Sequence, residues 1–161
     1  MASRATRALL FGATALSGLL AGGSIDRAFV QMPAFTRLGA EAWAAYSRHA
    51  DLGPGLFLYP AEGIGAAFLT IAAAISFMRD GRVPRRAALP IYLGAVLVIG
   101  GMLLTLRAAP IMLTLRGSAD VSQAFDGFRF WGNFRGAFQF AAFFANLWAI
   151  GAINAPILSR S

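Results

Sequence analysis

Cysteine and lysine are both missing from this 161-residue sequence, and histidine occurs once. With no thiol there is no disulfide, thiolate metal centre, iron–sulfur cluster or sulfur nucleophile, and the redox compartment leaves no mark in cysteine usage. A lone imidazole excludes a bis-histidine haem. Acidic residues are scarce, 7 in all, and charged residues make up only 13% of the chain, against about a quarter in soluble domains. Glycine-rich phosphate loops ending in Lys-Ser or Lys-Thr are absent, and so is the nucleophile elbow of serine hydrolases.

What is abundant is apolar surface: 58% of residues are hydrophobic and the mean hydropathy is +0.63. Scanned at the length of a membrane span, about 20 residues for a core about 30 Å thick, the chain shows four runs. The first covers 8–32, is broken by Asp26 and Arg27, and stops at Pro33. The second covers 55–78. The third covers 87–110, meeting Arg107 and then Pro110, where a kink or an end is expected. The fourth covers 131–158. The length leaves room for one membrane domain, 1–161, and the expected fold is an all-α, integral-membrane, four-helix antiparallel bundle. Arg4 and Arg7 before an apolar stretch with small residues at Ala21, Gly22 and Gly23 also fit a secretory signal peptide. Removal of that segment would leave three spans, and the chain stays apolar beyond the cleavage point.

A net charge of +7 and a pI of about 11.5 would suggest a nucleic-acid partner in a soluble protein; here it reflects topology, the expected partner is the lipid bilayer, and no nucleic acid is expected. The connection 79–86 carries four arginines in eight residues, and Arg4 and Arg7 add to them, so both termini are expected in the cytoplasm of a multi-pass inner-membrane protein. Seven further arginines fall on the other side, interleaved with six acids, a mixture that suggests pairing.

Between the first two runs, 34–49 has an apolar face of Phe35, Leu38, Trp43 and Tyr46, with Arg37 and Glu41 four apart on the other. That pattern predicts an amphipathic helix on the membrane surface, with Trp43 and Tyr46 at headgroup level. The stretch 116–129, containing Gly117, Ser118, Asp120, Ser122 and Asp126, is expected to be a loop with a short helix.

Candidate site residues are the polar ones on the spans. Glu62 is the one carboxylate in the second run, where a charge is costly and functional by default. Tyr59 lies three residues before it on the same face, and Arg135, Gln139 and Asn146 draw a stripe down the fourth span. Antiparallel packing brings Arg27, Gln31, Tyr59, Glu62, Arg107, Asn133, Arg135 and Gln139 to one half of the bundle. In the bland explanation they hold helices together, with Glu62 paired to Arg107 or Arg135. In the functional one Glu62 or His49 is a general base. Metal binding is not expected, since His49, Asp51 and Glu62 offer mixed ligands without His-x-x-x-His or Glu-x-x-His spacing. The aromatic density of the fourth run suits lipid packing and, in part, a pocket wall for a flat apolar molecule.

Two segments, Phe29-Val30-Gln31-Met32-Pro33-Ala34-Phe35 and Phe130-Trp131-Gly132-Asn133-Phe134-Arg135-Gly136, in a chain of this helix order, resemble the anthrone-oxygenase-like membrane proteins. The resemblance implies a four-helix membrane bundle and, from its fungal members, oxidation of an activated anthrone to a quinone by dioxygen without a cofactor. It carries over to Pro33, Trp131, Asn133 and Arg135 and assigns no role to His49 or Glu62. The expected function is therefore a small membrane oxygenase-like protein binding an apolar aromatic or quinone-like molecule. Glu62 or His49 would be the base, Arg107 or Arg135 would stabilise the oxyanion, and Gln31, Tyr59, Trp131, Asn133 and Gln139 would bind substrate. The alternative is a non-catalytic bundle: a scaffold, a small carrier, or a subunit of a homo-oligomer or larger membrane complex.

Overall fold

A computed structural model describes residues 3–80, 85–117 and 120–155, and within them every regular element is helical. Helix α1 (Arg4–Asp26) opens on Ser3, whose hydroxyl accepts from the Thr6 amide. It continues without a break through a widened π-turn, Arg27–Gln31, into α2 (Met32–Leu38). The first span therefore does not stop at Pro33. A proline ring strikes the carbonyl four residues back in a regular helix, but the π-turn lies over those residues and loosens the local ladder. Pro33 falls in the first turn of α2, and the helix ends instead at Gly39, whose φ of 97° few other residues adopt. After α3 (Ala40–His49) comes a tight turn, then α4 (Gly55–Arg79), α5 (Ala88–Leu113) with a short 3₁₀ turn on either side, and α6 (Val121–Asn154).

Four helical stretches are long and apolar enough to cross a membrane: Arg4–Leu38, Gly55–Arg79, Arg85–Arg116 and Val121–Asn154. The protein is an all-α, multi-pass membrane bundle. Its helices run up and down in sequence, α1 packing on α4 and α6, and α5 on α4 and α6. Pro110 is absorbed within α5, which continues to Leu113.

The fourth span starts ten residues before the expected Trp131. Asp120 accepts from the amides of Ser122 and Gln123 at 3.0 and 3.1 Å, a cap that begins the helix in what composition suggested was a loop. Arg82 and Arg160 from the orientation argument, Ser118, and the end of the expected fourth span (156–158) lie outside the described residues.

One end of the bundle gathers Ser3, Asp80, Arg86 and the end of α6. There Arg86 donates to the carbonyls of Ala152 and Ala155, the Ser3 amide donates to Asp80, and Thr6 bonds Ser76 across α1 and α4 at 2.7 Å. Leu10, Ala73, Ala74, Ala87, Ile91 and Ala149 form an apolar plug beside these contacts. At the opposite end, α2 and α3 fold over the bundle as a cap.

The cap is a second core rather than a surface-lying helix. Trp43 is only 1% exposed and lies 5.4 and 5.5 Å from the rings of Phe125 and Phe128, among Met32, Ala44, Met112 and Leu115. The headgroup position expected for Trp43 is thus corrected: α6 extends past the span and offers an aromatic face that removes it from the interface. Tyr46 stays partly exposed and packs on Phe35 at 5.3 Å. Arg37 and Glu41 form no pair, because Gly39 places them on different helices.

Between cap and plug the midplane is polar but uncharged. Asn146, fully buried, donates to Ser17 and Thr70, each at 3.3 Å. Gly94 permits this: a methyl group on it would lie 2.9 Å from the Asn146 Oδ1. Small residues along the seams let the backbones approach where lipid supplies no hydrophobic drive. Replacing Trp43 by alanine is expected to cost about 3–5 kcal/mol, seen as a lower unfolding temperature in detergent with faster amide exchange in α2 and α3 but not in the midplane of α6.

Candidate functional site

The charged centre of the protein sits beneath the cap. Arg27, in the π-turn, donates to the Asp51 Oδ1 in an ion pair whose side chains are 15% and 4% exposed. Asp51 reaches this depth because the chain reverses sharply after α3. The amide of Gly55 donates to the Ala50 carbonyl at 2.9 Å, and a Cβ on Gly55 would meet that carbonyl at 2.8 Å and the Tyr59 ring at 2.6 Å. The glycines of Gly53-Pro54-Gly55 thus fold the turn tightly enough to tuck Asp51 inward.

The Arg27 guanidinium lies 5.5 Å from the centres of both the Tyr59 and Phe128 rings. The Arg135 guanidinium lies 5.8 Å from the same Phe128 ring. A cation over an aromatic face contributes about 0.5–2 kcal/mol, less than burial of an uncompensated charge costs. Asp51 balances one guanidinium through Oδ1. Among the described residues Arg135 has no ion pair, and its Nε is buried without a partner.

Other buried polar atoms without a partner collect here: Gln31 Oε1, Trp43 Nε1, Ser47 Oγ and Asp51 Oδ2, with Asn146 Oδ1 the exception at the midplane. Such atoms are rare in folded proteins. A cleft of about 20 Å³, lined by Ser24, Arg27, Met32, Phe128, Asn133 and Arg135 among others, opens between the π-turn and α6. That is room for a water molecule or a single oxygen end group.

The expected site residues divide between those at this cleft and those elsewhere. Arg135 and Asn133 line it, and the Tyr59 ring faces its Arg27 wall. Gln139 lies one turn further along α6 and accepts from the Ser24 hydroxyl at 2.5 Å. The amide of Gln31 donates to Asp26 at 2.6 Å. Trp131 packs edge-on against Phe130 at 5.2 Å, outside the lining.

Glu62 and Arg107 are not brought together. Glu62 is half-buried on α4 with neither a hydrogen bond nor an ion pair among the described residues, and Arg107 is exposed. The inward face of α4 runs through Ala66, Ala67, Thr70, Ala73 and Ala74, which leaves Glu62 at its edge. His49 is exposed at the end of α3. No three His, Asp or Glu side chains converge among the described residues, so His49, Asp51 and Glu62 do not form a donor set.

The residue that composition underrated is Asp51, considered only among mixed ligands. Its signal was local: a carboxylate just before Gly-Pro-Gly, in a turn too tight to leave it in solvent. Chemically, three guanidiniums line the cleft, Arg27 paired with Asp51, Arg129 paired with Asp126 at 3.3 Å, and Arg135 without an ion pair among the described residues, an arrangement of donors suited to holding an oxyanion. No carboxylate or imidazole is part of the cleft lining.

Comparison with protein-family models, curated proteins and solved structures returned no match.

Asp51→Asn, which leaves Arg27 without its counter-charge, is expected to cost about 3–5 kcal/mol. The double variant Arg27→Leu, Asp51→Leu should recover most of that loss, as read from thermal unfolding in detergent.

Proposed function

We propose that the protein is a small membrane-embedded oxygenase-like protein that seats the carbonyl or phenolate oxygen of an apolar aromatic or quinone-like molecule between Arg27 and Arg135. The observation that carries this reading is Arg135, whose Nε is buried without a partner, which forms no ion pair among the described residues, and which lines a cleft large enough for an oxygen end group. The resemblance to anthrone-oxygenase-like proteins adds weight, since Asn133 and Arg135 of the Phe130–Gly136 segment both line that cleft.

The chemistry assigned to this site is electrostatic. Holding the substrate oxygen against two guanidiniums stabilises the enolate form and so acidifies the methylene conjugated with the carbonyl across the central ring. The methylene proton leaves to water. The resulting carbanion adds dioxygen and takes up a proton to give a hydroperoxide; cleavage of its O–O bond with loss of water leaves the quinone carbonyl. One dioxygen is consumed and one water released per substrate. Arg135 and Arg27 are the oxygen-binding groups in this scheme, Asp51 positions Arg27, and the base role first considered for Glu62 and His49 passes to solvent.

Arginines 4, 7, 79, 85 and 86 lie at the end opposite the cap, with Asp80 the acid among them. On the positive-inside rule this supports a reading in which the termini face the cytoplasm and the arginine cleft lies on the far side of an inner membrane. A second reading, a non-catalytic carrier or a subunit of a membrane complex that binds the same oxygen-bearing molecule, is favoured by one observation: no protein acid or base lines the cleft.

Oxygen uptake and quinone absorbance with an anthrone substrate separate the two readings. Arg135→Leu is expected to lose about 10²–10³ in turnover, the usual effect of removing an oxyanion donor, while Glu62→Gln and His49→Ala keep the wild-type rate. Full activity in Arg135→Leu overturns the oxygenase assignment. Binding that depends on Arg135 but consumes no oxygen favours the carrier.

A further inference from the structure

The arginine cleft by itself is too small for a ring system, yet a second cavity of about 40 Å³ lies further along the bundle, in the middle part of the spans. That cavity is bounded by all four spans, through Ser17, Gly63, Gly101, Thr105 and Gln139 among others, and no charged residue lines it. The two spaces are stacked along the seam between α1 and α6. Ser24 lines the outer one, Gln139 the inner one, and these two side chains are hydrogen-bonded to each other at 2.5 Å. Gly136 permits this approach: a Cβ there would lie 3.3 Å from the Ser24 Cβ.

We propose that the cleft and the midplane cavity are two chambers of one elongated ligand site, with the Ser24–Gln139 hydrogen bond as the gate between them. This rests on the function proposed above and specifies its substrate class: a phenol or quinone head carrying a linear hydrocarbon side chain. Opening of the gate merges the two spaces, so that the head oxygen lies between Arg27 and Arg135, the ring occupies the position vacated by the Ser24–Gln139 hydrogen bond, and the chain extends into the inner chamber. Arg135 and Ala142, which mark the two ends on α6, are seven residues apart, a depth of about 10 Å.

Three features fit this occupant. The inner chamber is uncharged and largely apolar, with small residues at Gly63, Ala66 and Gly101, so it suits a neutral, narrow chain rather than an ion. It shares no lining residue with the plug around Leu10 and Ile91, which lies between it and the end that holds Ser3 and Arg86. The two spaces are joined through one side chain–side chain hydrogen bond, which rotamer changes of Ser24 and Gln139 break. Ser24 and Gln139 thus act as specificity residues for chain-bearing ligands.

The test uses the full-length protein in lipid nanodiscs and a hydroquinone whose linear side chain ends in a photoactivatable diazirine. Irradiation is expected to label the chamber wall at Leu97, Val98 and Gly101 of α5 and at Gln139 and Ala142 of α6, and Ser24→Ala, which removes the gate, is expected to increase that labelling. Gly63→Leu, whose new Cβ meets nothing within 4 Å, fills the chamber. It should bring chamber labelling down to the level of a protein-free lipid control while Arg135-dependent binding of the chainless hydroquinone persists. Ala142→Leu serves as a second filling variant if the first fails to insert.

Label confined to lipid-facing residues such as Val96 and Leu103, with binding still dependent on Arg135, overturns the two-chamber site and leaves the head-group assignment standing. Labelling and binding that are unchanged in Arg135→Leu overturn the head-group assignment itself.

Discussion

The ion pair between Arg27 and Asp51 is the interaction on which this architecture turns. It joins the break in the first span to the turn after α3, so it holds the cap against the bundle and fixes where the first guanidinium sits. A charge at membrane depth is costly and is usually paired or turned to a cavity, which is why so much local geometry serves this one contact. The π-turn carries Arg27 without ending the helix, Gly39 turns the chain over the bundle end, and Gly53 and Gly55 let it double back to deliver Asp51. With Asp51 committed to Arg27 and Asp126 to Arg129, Arg135 is the arginine lining the cleft that forms no ion pair among the described residues.

Away from that pair the bundle is held by shape and neutral hydrogen bonds. Interhelical hydrogen bonds in membrane proteins average about 0.6 kcal/mol, so the contacts from Asn146 to Ser17 and Thr70 fix register more than they supply stability. Close packing of small residues does the larger part. Gly100 sits where a Cβ would lie 2.5 Å from the Phe138 ring, and Gly94 where one would strike Asn146. The same small residues leave the midplane cavity, because side chains short enough for backbones to approach do not fill the centre among four helices. Large side chains such as Phe57, Phe68 and Leu106 point outward instead, where lipid is as good a solvent for them as protein.

The helical fold and the four spans were legible in the sequence, since a run of apolar residues long enough to cross a bilayer has few alternative structures. The inward stripe of α6 was legible too, from the spacing of Arg135, Gln139 and Asn146. Element ends were less so. Pro33 suggested a stop that the π-turn removed, and Asp120 with Gln123 three residues later carried a capping pattern that the polar composition around it obscured. Trp43 was assigned to the interface because its segment is amphipathic; that pattern cannot tell lipid headgroups from an aromatic face on another helix.

Hydropathy and helical periodicity, which depend only on neighbours along the chain, were enough to determine by sequence alone that this is a four-span helical membrane protein with polar groups concentrated toward one end. Which charges meet was decided by tertiary structure. Arg27 with Asp51 rather than Glu62 with Arg107, and Ser24 closing on Gln139, depend on helix rotation and on turns that reverse the chain. A rotation of a fraction of a turn moves a carboxylate from the centre of a bundle to its edge, and no spacing within a single helix specifies that angle.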